Sequence, residues 1–301
     1  MKFSELIEKY FWLILIAAIV IGVWHPVPFQ VPPLLPKLIL VMMLLVVFLK
    51  IDALEVLENI RNYKLMIYVT IIYMLIIPLG FFFLIKIFDN DLAIGILLLT
   101  SMPAGVSTPA LTDIARGNIS LSMSLVITSQ MVAPLTVPLL FWLFVSSSLS
   151  INIILLFKDI AILVFLPMIL SRLIRIYFPA LIRKTQHFFT SANVLLLFAF
   201  VYLTISSQSN IILANPSGLI WKLALLYLVF TILHVAGYLI GFKENKKDRI
   251  SIAIGAAYMN NGMAIVLAVS YFKPEILILM ILSEIPWSTL LAPFRKVISH
   301  L

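Results

Sequence analysis

Ten apolar segments constrain the fold of this chain more than any other feature of its sequence. They cover residues 11–24, 34–50, 65–88, 92–115, 119–145, 153–174, 187–207, 218–241, 250–271 and 274–294. A transmembrane helix needs about 20 predominantly apolar residues, so most of these segments are long enough to cross a bilayer. Lipid offers no hydrogen-bond partner to an exposed backbone, and only helices and closed barrels span it. The sequence therefore predicts an all-α integral membrane protein with ten transmembrane helices.

The charged residues support this interpretation and predict an orientation. Only 11% of the residues are charged, whereas soluble domains average about 25%. With both termini placed in the cytoplasm, sixteen of the 21 lysines and arginines lie on the cytoplasmic side, among them Lys2, Lys9 and Arg61. That bias is the one seen in membrane proteins. The net charge of +8 is thus a topological signal, and does not indicate nucleic acid as a partner.

We therefore expect a multi-pass protein of the inner or plasma membrane with both termini cytoplasmic. The expected partner at this point is the lipid bilayer, and the expected state is a monomer or a weak homo-oligomer.

Two of the ten segments contain residues that interrupt a helix. Residues 101–109 hold Pro103, Gly105 and Pro109, and a proline both lacks the amide hydrogen and clashes with the preceding turn. Residues 258–262 hold paired asparagines followed by a glycine, which are poor helix formers. The two interruptions fall in the fourth and ninth segments, which occupy the same place in each half of the chain. Five segments per half make the second half an inverted repeat of the first, as in many transporters.

Three short runs resemble the bile acid:sodium symporter family of the bile/arsenite/riboflavin transporter superfamily. Residues 103–122 resemble its run of proline, small and hydroxyl residues that ends in Arg/Lys-Gly-Asn-x-Ala-Leu-Ser. Residues 133–138, Ala-Pro-Leu-Thr-Val-Pro, resemble a proline motif of the fifth helix, and residues 258–264 resemble the family's Met-Gln-Asn-Ser-Gly-Leu-Ala.

The resemblance implies one transporter domain over residues 1–301, in which the broken helices 4 and 9 cross. Its core domain would comprise residues 65–145 and 218–294, and its panel domain residues 11–50 and 153–207. The implied function is secondary active transport of a bile-acid-like or other carboxylate or sulfonate anion by alternating access. The implied substrate-binding residues are Gly105, Ser107, Thr108, Asn260, Asn261 and Gly262.

Several residues depart from the family at the positions that bind sodium. Thr108 and Ser122 keep the hydroxyl groups of two such positions. At the remaining positions, amide, hydroxyl and carboxylate side chains are replaced by Tyr73, Pro109, Val126, Gly255 and Met259. The loss of the acidic ligand argues against a conventional two-sodium mechanism.

Glu284 is the one acid well inside an apolar segment, and His234 is the one histidine inside one. An intramembrane carboxylate is costly, which makes it a candidate proton or cation site. With Thr108 and Ser122, these two residues form the predicted ion-binding set. Glu284 can instead be a neutral acid bonded to Ser283, and His234 can either relay protons to Glu284 or simply bond a backbone carbonyl.

The chain contains no cysteine and no metal-binding, nucleotide-binding or hydrolase motif, so we expect no enzyme activity, no bound metal and no cofactor. The only small ion expected is Na⁺ or H⁺ as a coupling ion. The alternatives that remain open are a proton-coupled or uncoupled carrier using Glu284, and a channel or receptor on the same scaffold.

Overall fold

The computed structural model describes residues 11–50, 62–145, 152–214 and 216–300. These residues fold almost entirely into helices, and no β-strand is found among them. In chain order the helices are α1 (Phe11–Trp24), α2 (Leu34–Lys50), α3 (Tyr63–Lys86), α4 (Asn90–Thr100), α5 (Thr108–Ile114), α6 (Ile119–Phe144), α7 (Ile153–Tyr177), α8 (Pro179–Thr185), α9 (Phe189–Ser206), α10 (Ser209–Ala214), α11 (Pro216–Ile240), α12 (Lys246–Ala257), α13 (Asn261–Tyr271), α14 (Pro274–Thr289) and α15 (Leu291–Ser299).

The prediction of an all-α chain is confirmed for the described residues. In the part of the chain that the structure describes, six helical stretches are long and apolar enough to cross a membrane, by length and composition. These helices alone do not show an inverted repeat of ten helices, so the repeat stays a prediction. Lys2, Lys9 and Arg61, which contribute to the predicted orientation, lie outside the described residues, as do both ends of the chain.

Both predicted interruptions are present in the structure. The fourth apolar segment forms α4 and α5, with residues 101–107 between them outside any helix. The ninth forms α12 and α13, with residues 258–260 between them. Pro109 lies at the start of α5, where a missing amide hydrogen is tolerated. Asn260 caps α13 by accepting a hydrogen bond from the Met263 amide at 3.0 Å.

The contacts divide the chain into two compact units, residues 1–53 with 162–219 and residues 54–161 with 220–301. The boundaries fall inside α7 and α11. In the first unit α9 packs against both α1 and α2. Gly22 of α1 permits this approach, because a Cβ there would lie 2.9 Å from the Ile205 side chain. The predicted panel and core ranges remain predictions.

The second unit is built around the two interrupted segments. Every residue from 93 to 104 and from 250 to 261 is buried. α4 packs against α3 and α14, while α12 and α5 pack against α6. Outside the apolar segments, Lys273 bonds Asp91 at 2.7 Å, which joins α14 to α4 and raises the pKa of Lys273 above its ordinary value. The backbone that is not helical thus lies in the interior of this unit, and burial in protein is an environment in which membrane proteins tolerate it.

Candidate functional site

The two interruptions are hydrogen-bonded to each other. The Gly105 amide donates to the Tyr258 carbonyl at 2.7 Å, and the Asn260 amide donates to the Pro103 carbonyl at 2.8 Å. Ala104 and Met259 form an isolated antiparallel bridge between these bonds. Two extended pieces of backbone therefore satisfy each other where the helical hydrogen bonds are missing. We call residues 103–105 and 258–260 the crossing.

Gly105 is required by the closeness of this pairing. A Cβ at residue 105 would lie 2.9 Å from the Tyr258 carbonyl oxygen and 3.1 Å from that of Met259. Both neighbours are backbone atoms, which cannot move aside as the end of a side chain can. A residue larger than glycine would push the two interruptions apart. The backbone dihedral of Gly105 is not in the left-handed region, so its role is steric.

α6 supplies hydrogen bonds to the remaining backbone groups of the crossing. The Ser129 hydroxyl accepts from the Ala104 amide at 3.1 Å and itself donates to the Val126 carbonyl. The Gln130 side-chain amide donates to the Ala104 carbonyl at 3.2 Å. Both side chains are fully buried, so the crossing depends on them in place of water. The sequence signal was the polar face of α6, on which Ser129 lies seven residues after Ser122.

Thr108 also stabilises the crossing through hydrogen bonds. Its side chain is fully buried, and its hydroxyl donates to the carbonyls of Gly105 and, at 3.2 Å, Tyr258. The resemblance implied that Gly105 and Thr108 bind substrate, and that role stays a prediction. In the structure the Gly105 amide is bonded to the Tyr258 carbonyl. The physical reason is that a buried amide without a partner is costly.

Asn260 and Asn261 each keep one polar atom without a partner among the described residues. Both residues are buried, with exposed fractions of 6% and 4%. The Asn260 oxygen caps α13, and its Nδ2 has no hydrogen-bond partner. The Asn261 nitrogen donates to the Ser283 hydroxyl at 3.0 Å, and its Oδ1 has no partner. Buried polar atoms are normally satisfied, so these two atoms are the strongest ligand-binding candidates beside the crossing.

Ser107 and Gly262 lie in the same region but are half-buried. Ser107 precedes α5, and its carbonyl accepts from the Leu111 amide at 3.1 Å. Gly262 is in the first turn of α13. The first amides of a helix lack partners within the helix and attract negative charge, so both residues occupy positions suited to an anion.

Glu284 lies on α14 next to the Asn261 side chain. Its exposed fraction is 5%, and Asn261 is its polar neighbour. The adjacent Ser283 hydroxyl donates to the Met280 carbonyl at 2.6 Å, so it must accept from Asn261. That network fixes the orientation of the Asn261 amide, with Oδ1 as the unpaired acceptor. Glu284 and Asn261 are thus together, a pairing that their 23-residue separation in sequence does not indicate.

Ser122 and His234 are bonded elsewhere. The Ser122 hydroxyl accepts from Thr112 at 3.0 Å. His234 Nδ1 lies 2.7 Å from the Phe230 carbonyl, and its Nε2 has no partner among the described residues. The structure therefore contains no His234–Glu284 hydrogen bond, and the alternative of a histidine bonded to a backbone carbonyl is observed. The His234 ring instead packs edge-on against the Tyr258 ring, 5.2 Å between centroids.

In the described part of the chain, no group of three or more histidine, aspartate or glutamate side chains is arranged to hold a metal ion. The polar groups around the crossing are amides, hydroxyls and carbonyls, with Glu284 as the nearby carboxyl group. Such groups can bind a carboxylate, a sulfonate, a proton or a hard cation through oxygen and nitrogen atoms.

Comparison with protein families gives a match over residues 9–288 to the model described as the SBF-like CPA transporter family. The chain belongs to this family. The predicted resemblance to bile acid:sodium symporters is therefore confirmed. With six long apolar helices, membership in the SBF-like family also confirms the expectation of a multi-pass membrane protein.

Two curated proteins illustrate the relationship. The chain is similar to the "Uncharacterized sodium-dependent transporter YocS" of Bacillus subtilis, with 27% identity over 190 residues, which cover 61% of this chain and 57% of YocS. It is also similar to the "Probable sodium/metabolite cotransporter BASS1, chloroplastic" of Arabidopsis thaliana, with 23% identity over 205 residues, which cover 65% of this chain and 49% of BASS1. This SBF-like chain thus spans only about half of the curated relatives it matches.

Proposed function

We propose that this chain is a secondary active transporter that moves a small organic anion, a carboxylate or a sulfonate, by alternating access. The observation that carries the proposal is the crossing, where two interrupted helices pair through their backbones in the interior of one unit. Interrupted helices of this kind form substrate and ion sites near the bilayer midplane in many transporters.

In this proposal the whole chain is one transporter domain of two inverted five-helix repeats. The core domain comprises residues 65–145 and 218–294, and the panel domain residues 11–50 and 153–207. The two compact units support this division, because their bounds are close to these ranges. The position of the interruptions in the fourth and ninth apolar segments supports the repeat. Movement of the core domain relative to the panel domain would carry the substrate.

The Asn260 side chain has the most support as an anion-binding group. Its Nδ2 is a buried donor without a partner among the described residues, and it stands at the N-terminus of α13, which carries a partial positive charge. Ser107, which precedes α5, and Gly262, in the first turn of α13, would contribute as well. Gly105 and Thr108 would act by holding the crossing together.

Glu284 and Asn261 are the proposed site of the coupling cation. The carboxyl oxygens of Glu284 and the unpaired Oδ1 of Asn261 would both be satisfied by Na⁺. The names of YocS and BASS1 favour sodium. The replacements at Gly255 and Met259 argue against the conventional pair of sodium sites, so we propose a single cation at Glu284. Ser122 and His234 have less support, because each has another partner.

A second candidate is a proton-coupled carrier in which Glu284 itself takes up and releases the proton. A neutral Glu284 carboxyl would need no cation beside it, so the same residue can serve either candidate. Purified protein in liposomes would be assayed for anion uptake with a sodium gradient or a pH gradient imposed separately. Uptake driven by sodium alone would contradict the proton mechanism, and uptake driven by pH alone would contradict the sodium mechanism. Accumulation driven by neither would indicate an uncoupled carrier.

The binding site is tested by Asn260→Ala, which removes the unpaired Nδ2 donor. We expect this variant to reach the membrane and to lose uptake of organic carboxylates and sulfonates. Asn245→Ala is the matched control for the lost helix cap, because Asn245 caps α12 with the same hydrogen bond that Asn260 makes at α13, 3.1 Å from the Asp248 amide. Normal uptake by Asn260→Ala would contradict the site. Flux that does not saturate with substrate, or the absence of any exchange, would favour a channel or a receptor.

A further inference from the structure

A basic pocket lies in the unit that does not contain the crossing. It has a volume of about 310 Å³ and is lined by Leu49, Lys50, Arg175, Ile182, Gln186 and His187. These residues come from the C-terminal ends of α2 and α7, from α8 and from the 3₁₀ turn that follows α8. All of them belong to the first compact unit. We call this cavity the basic pocket.

The cationic side chains of the basic pocket are held in position by hydrogen bonds. The Lys50 ammonium donates to the Thr190 hydroxyl at 2.9 Å. The Arg175 guanidinium donates to the Leu49 carbonyl, also at 2.9 Å, at the C-terminal end of α2. An ammonium has three donors and a guanidinium has five in a planar fork, and both geometries suit phosphate oxygens.

No carboxylate is present in the described residues of this unit, which are 11–50, 162–214 and 216–219. The stretch from residue 160 to residue 243 contains neither aspartate nor glutamate. Arg183 and Lys184 add two more cations in the last turn of α8. Among the described residues of this unit, the charged side chains are therefore all cationic, and such a surface attracts anions.

The side chains around the basic pocket indicate its depth in the membrane. Large apolar and aromatic side chains next to it are exposed, with exposed fractions of 72% for Tyr177, 58% for Phe178, 53% for Leu181 and 57% for Phe188. Tyrosine, basic residues and short amphipathic helices concentrate at the level of the lipid headgroups. A segment that exposes both Phe178 and Arg183 is suited to that interface, since neither bulk water nor the hydrocarbon interior accommodates both.

We propose that the basic pocket binds the phosphate of an anionic phospholipid. Basic pockets between transmembrane helices are known to accept such headgroups. The exposed aromatic and aliphatic side chains would contact the acyl chains next to the bound phosphate, and a free phosphate ion would gain nothing from them. This favours a lipid over inorganic phosphate as the source of the anion. The site rests on the first unit alone and does not depend on the proposed transport activity.

The test uses the purified full-length chain in a neutral detergent. Dioctanoyl phosphatidylglycerol, dioctanoyl phosphatidylcholine and inorganic phosphate are titrated separately, with melting temperature and native mass spectrometry as readouts. We expect phosphatidylglycerol alone to raise the melting temperature and to remain bound. Equal effects of phosphatidylcholine would overturn the proposal, and so would an equal effect of inorganic phosphate, which would identify a site for the free ion.

Variants of Lys50 complete the test. Lys50 is exposed, so Lys50→Gln should fold normally, and we expect it to weaken phosphatidylglycerol binding roughly fivefold. Lys50→Arg should restore binding, because it keeps the charge. Lys222→Gln is the matched control, since Lys222 lies beside an exposed aromatic ring, that of Trp221, and outside the pocket. Unchanged binding by Lys50→Gln, or the same loss in Lys222→Gln, would overturn the site.

Discussion

Substitution of Gly105 by alanine tests the crossing directly. The added Cβ would stand 2.9 Å from the Tyr258 oxygen and 3.1 Å from the Met259 oxygen, whereas ordinary contacts begin at 3.4 Å. Since both oxygens belong to the backbone, relief requires the two interruptions to separate. Separation would lengthen the Gly105–Tyr258 and Asn260–Pro103 hydrogen bonds, which are 2.7 and 2.8 Å long.

The expected cost of Gly105→Ala combines two effects. Overpacking of a close-packed interior costs about 1–3 kcal/mol. Each of the two buried hydrogen bonds contributes about 0.5–1.5 kcal/mol, and more if its donor is left without a partner. Together they give a loss of roughly 2–6 kcal/mol in the free energy of unfolding. At about 2–4 °C per kcal/mol, the melting temperature should fall by roughly 4 °C or more.

The assay is thermal unfolding of the purified protein in detergent, together with uptake in liposomes. Gly80→Ala is the control, because a Cβ at Gly80 of α3 meets nothing within 4 Å. It should leave the melting temperature within about 1 °C or raise it slightly, since alanine favours helix over glycine. If Gly105→Ala had the same melting temperature as Gly80→Ala and the wild type, the close approach of the two interruptions would not contribute to stability, and the reasoning would be refuted.

Two further substitutions separate stability from coupling. Ser129→Ala removes the acceptor for the Ala104 amide and leaves that amide buried without a partner. We expect it to lower the free energy of unfolding by about 1–3 kcal/mol, measured by thermal unfolding. The control is Thr231→Ala, which should change stability little because the Thr231 hydroxyl is exposed and bonds a carbonyl of its own helix. Glu284→Gln keeps the size of the side chain but cannot titrate, so the folded protein should persist while its uptake no longer responds to an imposed cation or pH gradient. Gradient-driven uptake that survives Glu284→Gln would remove Glu284 from the coupling site.

The interruptions of the two helices could be predicted from the sequence because they follow from local chemistry. A helix cannot continue through both Pro103 and Pro109, and the Asn260-Asn261 pair followed by glycine is unfavourable in the interior of one. These properties belong to the residues themselves, whatever surrounds them. The location of α13 immediately after Asn260 follows from the same reasoning, because asparagine is a preferred N-cap.

The partners of the crossing could not be predicted, because they are set by packing between helices. α6 contains several serines and threonines, and nothing in their spacing distinguishes Ser129 as the acceptor for Ala104. The proximity of Glu284 to Asn261 depends in the same way on how α14 lies against α13. The sequence left open whether His234 pairs with Glu284 or with a backbone carbonyl, and helix packing decides for the Phe230 carbonyl, whose oxygen lies 2.7 Å from His234 Nδ1.

A division of roles follows from which atoms at the crossing are already bonded. The backbone groups of residues 103–105 and 258–260 are largely engaged with each other or with α6, so they hold the interruptions and leave little for a ligand. Among the described residues, the atoms here without partners belong to side chains and include Nδ2 of Asn260, Oδ1 of Asn261, Oε1 of Gln130 and the Tyr258 hydroxyl. Substitutions of Gly105 should therefore act through stability, and substitutions of Asn260 through transport. The Asn261 and Gln130 oxygens can only accept hydrogen bonds, so they need donors or a cation beside an anionic ligand, which is why anion and coupling cation are expected to bind together.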